Sequence, residues 1–210
     1  MIPSMKKNGL LLALFGIACA GVVALTYEGT KSQIAEQQRR QLMNTLHQII
    51  PADRYDNELY NQCLLLSSPQ YLGSKAPQPA FLATKNGEPT AIAIETTAPD
   101  GYNGDINIIV GIDWNGEVLG VRTLSHQETP GLGDLIELRR SDWVLSFNGY
   151  RLENEKDPRW AVKRDGGEFD QFTGATITPR AYVGAVRKVL NYFNRNRDTL
   201  VNAPRCGGES

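Results

Sequence analysis

The chain has 210 residues and a formal net charge of −1, so it has room for one good-sized domain and no excess of positive charge that would favour nucleic acid. Its three cysteines lie far apart and it has only two histidines, which excludes CxxC ribbons, cysteine-ligated iron–sulfur clusters and CxxCH haem attachment. Any redox chemistry within this chain therefore requires an organic cofactor.

An uncharged, apolar run begins close to the N-terminus. It follows Lys6 and Lys7 and covers residues 9–26, which is about the shortest length that spans a membrane as a helix. A cleaved signal peptide is the alternative, because residues 18–20 (ACA) resemble a cleavage site. The hydrophobicity continues through Leu25, which favours a retained anchor. The lysines before the run predict a cytoplasmic N-terminus and an exported domain.

A helix is predicted over residues 31–50, since Leu42, Leu46 and Ile49 fall on one face and Pro51 ends the pattern. The chain is therefore divided into a cytoplasmic tip and transmembrane anchor (1–28), a connecting helix (29–50) and a periplasmic domain (51–210).

Two β-hairpins follow. Asn86-Gly87 and Asn115-Gly116 each separate two apolar runs, and Asn-Gly in this position is the strongest short-range signal of a hairpin. The predicted strands are 80–84, 90–96, 106–112 and 118–121.

The rest of the chain adds helical patterns to this sheet. The spacing predicts helical structure over residues 134–147, a short strand over 160–162 and a final helix over 179–194, with Thr178 as its N-cap and Pro179 as its first residue. The last helix is expected to bury Val183, Val186, Leu190 and Phe193. The whole order predicts an α+β protein, in which a single N-terminal transmembrane helix precedes a domain with an antiparallel sheet and flanking helices.

The segment SHQETPGLGD (125–134) is the first that suggests a site. Its Pro-Gly pair sets a tight turn, and Gly133 allows a ligand to approach the backbone closely. A metal site at His126 and Glu128 lacks a third ligand, and an acid–base pair of the same residues lacks a nucleophile. A connecting loop without chemistry is the remaining alternative.

The segment DQFTGATITPRA (170–181) is the second that suggests a functional site. Thr173, Gly174, Ala175 and Thr176 lie just before a predicted helix start, where free amides and the helix dipole favour an anion, and Arg180 follows in the first turn. These features predict phosphate binding. The chain has no Walker lysine and no GxGxxG after a strand, so nucleotide hydrolysis and Rossmann binding are unsupported.

The string Thr173-Gly174-Ala175-Thr176 resembles the S/T-G-A-T flavinylation motif of the FMN-binding domain family, and Asp170 matches the aspartate that precedes the motif. The resemblance covers essentially the whole chain and is to the family of G subunits of Rnf ion-translocating oxidoreductase complexes. It is carried by the anchor with its lysines, APDGYNGDI (98–106), HQETPGLGD (126–134) and FDQFTGATITPRA (169–181).

This resemblance implies a covalent FMN, joined through its phosphate to Thr176 by a flavin transferase, which transfers electrons within a complex of several subunits. The chain would be a bacterial inner-membrane protein with its main domain in the periplasm, and no side chain would act as a catalyst or a metal ligand. The residues expected around the cofactor are Thr176, Thr173, Gly174 and Ala175 near the phosphate, and His126, Glu128, Thr129, Gly131 and Leu132 near the flavin.

Two alternatives remain. The C-type flavin subunits of sodium-translocating NADH:quinone reductases share the anchor and the motif, although the shorter chain and HQETPGLGD favour the Rnf type. The second alternative is a membrane-anchored structural protein without redox function, in which Thr-Gly-Ala-Thr serves only to cap a helix.

A disulfide between Cys63 and Cys206 is also predicted. Cys19 lies in the anchor, whereas the other two cysteines would be in an oxidising compartment.

Overall fold

The computed structural model describes residues 2–207, which divide into two compact units at Asn44/Thr45. The first unit is the N-terminal part of one long helix, α1 (Ile2–Ile49). The helix predicted over residues 31–50 is the last part of α1 rather than a separate element, because the helix continues without a break from the apolar run. The segment from Lys6 onward is long and apolar enough to cross a membrane.

The second unit is built on a five-stranded antiparallel sheet whose strands lie in chain order. The strands are β1 (Cys63–Leu66), β2 (Gln78–Lys85), β3 (Glu88–Gly101), β4 (Gly104–Asp113) and β5 (Val118–Ser125). The helices of this unit are a single turn, α2 (Pro69–Leu72), and the long C-terminal helix α3 (Ile177–Leu200). The predicted α+β class with an antiparallel sheet is confirmed.

Both predicted hairpin turns are present. Asn86 and Gly87 have φ values of 54° and 81°, and a two-residue type I′ turn requires positive φ at both positions. In the second turn Gly116 has a φ of 91°, and the Asp113 carboxylate accepts the Glu117 N–H at 2.9 Å. The Asn-Gly pairs therefore set the register of two of the four strand pairs.

One face of the sheet packs against α3. Alternate residues of the central strands, such as Ile92 and Ile94, point to this side and are fully buried. The four residues predicted to be the buried face of the last helix are all buried there: Val183, Val186, Leu190 and Phe193. This face contains the main hydrophobic core of the domain.

The opposite face is covered by the last residues of α1. Gly111 on β4 pairs with Gly120 on β5, and the missing side chains leave a depression for Ile49. A Cβ atom at Gly111 or Gly120 would lie 3.3 Å or 3.1 Å from Ile49 atoms. Leu46, Ile49 and Ile50 are buried against this face, so the end of α1 belongs to the domain.

Two predicted segments differ in detail or in type. The helical structure predicted over residues 134–147 is present as two short 3-10 helices (Gly133–Ile136 and Asp142–Phe147), and the Ser141 hydroxyl accepts the Trp143 N–H at 3.0 Å at the start of the second. Residues 160–162 form no strand. Val162 makes only an isolated bridge with Phe169, and the segment packs its buried side chains over the core without joining the sheet.

A disulfide joins Cys63 and Cys206, as predicted, with a Cα–Cα distance of 5.3 Å. Around it the C-terminal tail pairs with β1: the Leu65 N–H donates to Pro204 O at 2.7 Å, and the Cys206 N–H donates to Cys63 O at 3.0 Å. The tail therefore covers the edge strand of the sheet, which would otherwise present unpaired backbone groups.

Glu95 is a half-buried acid on the sheet face that lies away from α3. It stands opposite Ile109 on β4, and no hydrogen bond or ion pair of its carboxylate is seen among residues 2–207. Burial raises the pKa of this carboxyl to about 7. Because the folded state then holds more protons than the unfolded chain between about pH 4.5 and 7, stability falls as the pH rises through that window.

We expect Glu95→Gln to stabilise the domain at pH 8, by about 1–3 kcal/mol, and to have little effect at pH 4. The glutamine carries no charge, so the cost of burying the carboxylate is removed. Thermal unfolding of both proteins at the two pH values measures the difference. Glu88→Gln in the exposed first hairpin turn is the matched control. A gain for Glu95→Gln that is equal at both pH values would contradict this explanation.

Candidate functional site

The Thr-Gly-Ala-Thr segment forms a tight turn before α3. Phe172 and Ala175 form a bridge in which the Ala175 N–H donates to Phe172 O at 3.3 Å, and Gly174 between them has a φ of 80°. Only glycine adopts this conformation without strain. The turn leaves Thr176, which is half-buried, as the last residue before the helix.

The predicted N-cap at Thr178 is wrong. The helix begins at Ile177, and Thr178 lies inside its first turn, fully buried, where its hydroxyl donates a short hydrogen bond to the Glu128 carboxylate. Pro179 is the third helical residue rather than the first. An N–H in the first turn has no acceptor within the helix, so proline is tolerated there and the helix starts two residues earlier than predicted.

Thr176 stands at the N-cap position without acting as a cap. Its side chain accepts no hydrogen bond from the amides of the first turn. Those amides lack intrahelical acceptors, and the dipole of this 24-residue helix adds positive potential at the same end. The start of α3 therefore has the uncapped amides and the dipole on which the sequence prediction of phosphate binding depends, and the binding itself stays a prediction.

The loop after β5 folds against this turn. The Gly131 N–H donates to the Asp134 carboxylate at 2.7 Å, and the Leu132 and Gly133 amides donate to Thr129 O at 3.2 Å and 3.1 Å. The loop places Leu132 next to the Thr-Gly-Ala-Thr turn. A Cβ atom added at Gly174 would lie only 3.4 Å from Cδ2 of Leu132.

A cavity of about 410 Å³ lies between the two segments, and small-molecule sites usually measure ~300–1,000 Å³. Six of the nine residues predicted around the cofactor line it: Glu128, Thr129, Leu132, Gly174, Ala175 and Thr176. The other lining residues are Tyr102, Gly133, Ile177 and Thr178. Tyr102, Leu132 and Ile177 are the large exposed apolar side chains of this wall.

A second cavity, of about 440 Å³, lies on the other side of the turn. Thr173, the seventh predicted residue, lines this cavity together with the basic residues Lys163 and Arg164. Gly174 and Thr176 line both cavities. Thr176 therefore borders both the cavity that contains the exposed apolar side chains and the cavity whose wall includes two basic residues and Asp170.

The two remaining predicted residues, His126 and Gly131, line neither of these cavities. Nδ1 of His126 accepts the Glu128 N–H at 3.0 Å and Nε2 lies 2.9 Å from Glu137 Oε1. The ring therefore shapes the loop, and it forms no acid–base pair with the Glu128 carboxylate. The hydrogen bond from Arg139, with a smaller contribution from His126, lowers the pKa of Glu137 to about 2. A direct contact of His126 with a flavin stays a prediction.

Arg180 does not serve the anion site that the sequence suggested. Its guanidinium makes two hydrogen bonds to Asp165, at 2.5 Å and 2.7 Å, and it lines neither cavity beside Thr176. Lys163 and Arg164 provide the nearby positive charge instead.

Sequence reasoning missed Tyr102, Ile177 and the cavity-facing position of Thr178. Tyr102 lies in the turn between β3 and β4, inside the segment APDGYNGDI that contributed to the family resemblance. An exposed aromatic residue between two glycines was the available signal. Its distance in sequence from the other two segments gave no indication that it shares their cavity.

Comparison with known proteins matches both parts of the chain. A family model described as the RnfG N-terminal region matches residues 1–49, and one described as the FMN-binding domain matches residues 101–191. A relative from Shewanella loihica, by its name one of the G subunits of ion-translocating oxidoreductase complexes, is 59% identical over 204 residues, covering 97% of this chain and 96% of the relative. A relative of the same name from Vibrio atlanticus is 53% identical over 210 residues, covering 100% of both chains.

Proposed function

Because the chain belongs to the family of G subunits of ion-translocating oxidoreductase complexes, we propose that it transfers electrons through an FMN attached covalently to Thr176. The observation that carries the proposal is the position of Thr176, at the uncapped start of α3 and between two cavities. The helix and the family together fit a single-pass membrane protein.

The residues around Thr176 fit an FMN phosphate. A phosphate on its Oγ would meet the free amides of the α3 first turn, and Lys163 and Arg164 line the adjoining cavity. Lys163 shares its charge with Asp170, since Nζ lies 2.6 Å from Oδ1. Thr173 and Gly174 complete the turn around this position.

The larger apolar part of the cofactor fits the first cavity. Leu132, Ile177 and Tyr102 offer exposed apolar surface there, which a flavin ring system would cover. When bound, the flavin supplies the redox chemistry, since it exchanges electrons singly or in pairs. The chain's own residues hold it in place, and a covalent tether prevents its loss between turnovers.

No independent catalysis is expected of this chain. The proposed partners are the other membrane and peripheral subunits of the complex, and a flavin transferase that makes the phosphate ester. The match to the FMN-binding domain favours this redox function over a purely structural partner. The test is to denature the purified chain and separate it on a gel, where the polypeptide should keep flavin fluorescence. A colourless polypeptide after production beside the transferase would contradict covalent attachment.

We also propose that the domain lies in the periplasm, on the outer face of the inner membrane. Lys6 and Lys7 precede the apolar part of α1, and basic residues are retained on the cytoplasmic side. We expect protease added to intact spheroplasts to digest the domain. If the domain is fully protected from protease until the membrane is broken, the proposed periplasmic location is wrong.

A further inference from the structure

Glu128 is a buried acid in the wall of the cavity beside Thr176. Its side chain is 5% exposed, and both carboxylate oxygens accept hydrogen bonds. Oε1 accepts the Asn103 N–H at 3.1 Å, and Oε2 accepts the short bond from the Thr178 hydroxyl.

No cation neutralises this carboxylate within the part of the chain that the structure describes. The neighbouring acids of the same segment are paired: Glu137 with Arg139, and Asp134 with Arg140 at 3.3 Å. Glu128 has no such ion pair among the described residues, and His126 binds its amide rather than its carboxylate. Glu128 therefore places a carboxylate in the wall of the cavity without an ion-pair partner among the described residues.

The carboxylate is also held in a fixed position. A Cβ atom at Gly133 would lie 2.7 Å from Oε2, and one at Gly101 would lie 3.0 Å from Oε1, so both glycines leave space that the carboxylate needs. Its two hydrogen bonds connect the turn between β3 and β4 with the start of α3. These contacts fix the position of the carboxylate relative to the cavity.

We propose that Glu128 sets the reduction potential of the bound flavin and makes it more negative. Full reduction brings two electrons, and uptake of one proton leaves a net negative charge on the ring system. A fixed carboxylate in the same partly desolvated cavity repels that charge, and charges near the flavin ring are a main control of its potential. The inference rests on the proposed function, because it requires FMN in the cavity beside Thr176.

The experiment is a reductive titration of the flavin-loaded, full-length protein at pH 8, with dithionite as the electron source and mediator dyes. We expect Glu128→Gln to raise the midpoint potential. At a fixed potential the ratio of reduced to oxidised flavin should rise about tenfold, which is about 30 mV for a two-electron couple. Glutamine keeps the shape and an oxygen for Asn103. Glu137→Gln is the matched control, since it removes a nearby acid that lies outside the cavity, just after this segment. An unchanged potential in Glu128→Gln, or an equal rise in the control, would overturn the proposal.

Glu128→Asp gives a second test that does not depend on Glu128→Gln taking up flavin. It keeps an acid in the same wall of the cavity, so the midpoint potential should stay close to the wild-type value. A rise of the potential in Glu128→Asp as large as the one expected for Glu128→Gln would overturn the proposal. Failure of the covalent attachment itself is seen separately, as loss of flavin from the denatured wild-type chain before any potential is measured.

Discussion

A Thr176→Val variant, produced beside a flavin transferase, should fold normally and contain no covalent flavin. Esterification joins the threonine Oγ to the phosphorus of the flavin donor, while the bond from phosphorus to the donor's leaving group breaks and the hydroxyl proton is lost. Valine keeps the shape of threonine and removes only this oxygen. Thr176 caps no amide, so the loss of its hydroxyl should cost the helix little stability. Flavin fluorescence of the denatured polypeptide and the mass of the tryptic peptide measure the outcome.

The neighbouring threonines provide matched controls. Thr173 lines only the second cavity, and the hydroxyl of Thr178 is engaged with Glu128. We therefore expect Thr173→Val and Thr178→Val to keep the covalent flavin, although Thr173→Val removes a hydroxyl that is expected to support the phosphate or its recognition by the transferase. Covalent flavin on the Thr176→Val protein would refute the assignment, and its loss from Thr178→Val alone would move the attachment point.

The parts of the fold that the sequence predicted well are those set by local physics. Each Asn-Gly pair determines a hairpin turn almost independently of the rest of the chain, and the buried face of α3 follows from helical periodicity. Strand β1 was not predicted. It has only four residues, which is too short for a clear pattern. One of its two partners is the C-terminal tail, where the disulfide joins residues 143 positions apart, so no local sequence pattern indicates the strand.

The same distinction separates the site residues. Thr173 to Thr176 could be predicted from the sequence because they form one continuous motif, and the structure places them along two cavities. The roles of Glu128 and Thr178 depend on a hydrogen bond between residues 50 positions apart, and this contact also explains why Thr178 is not a cap. A threonine before a proline favours capping in local terms, but burial against a carboxylate gives the hydroxyl a stronger, charge-assisted partner. Tertiary contacts thus changed the role of a residue whose local signal was clear.

The disulfide is expected to have the largest effect on stability. Cys63 and Cys206 are 143 residues apart, so the bond closes nearly the whole domain into one loop. In the chain-entropy model a loop of this length stabilises the folded state by about 5 kcal/mol, although native disulfides commonly give about 2–5 kcal/mol. Domains have a total stability of about 5–15 kcal/mol, so the bond supplies a large share of it.

We therefore expect the double variant Cys63→Ser, Cys206→Ser to unfold about 10 °C below the wild type, since 1 kcal/mol shifts the midpoint by ~2–4 °C in a domain of this size. The tail should also separate from β1 before the rest of the sheet unfolds, because the backbone bonds at Leu65 and Cys206 then stand without a crosslink. Cys19→Ser is the control, since Cys19 is a free thiol in α1 and its loss should leave the melting temperature unchanged. Reduction of the wild type should reproduce the double variant. Equal melting temperatures for the oxidised wild type and the double variant would show that the tail is held by its backbone contacts alone.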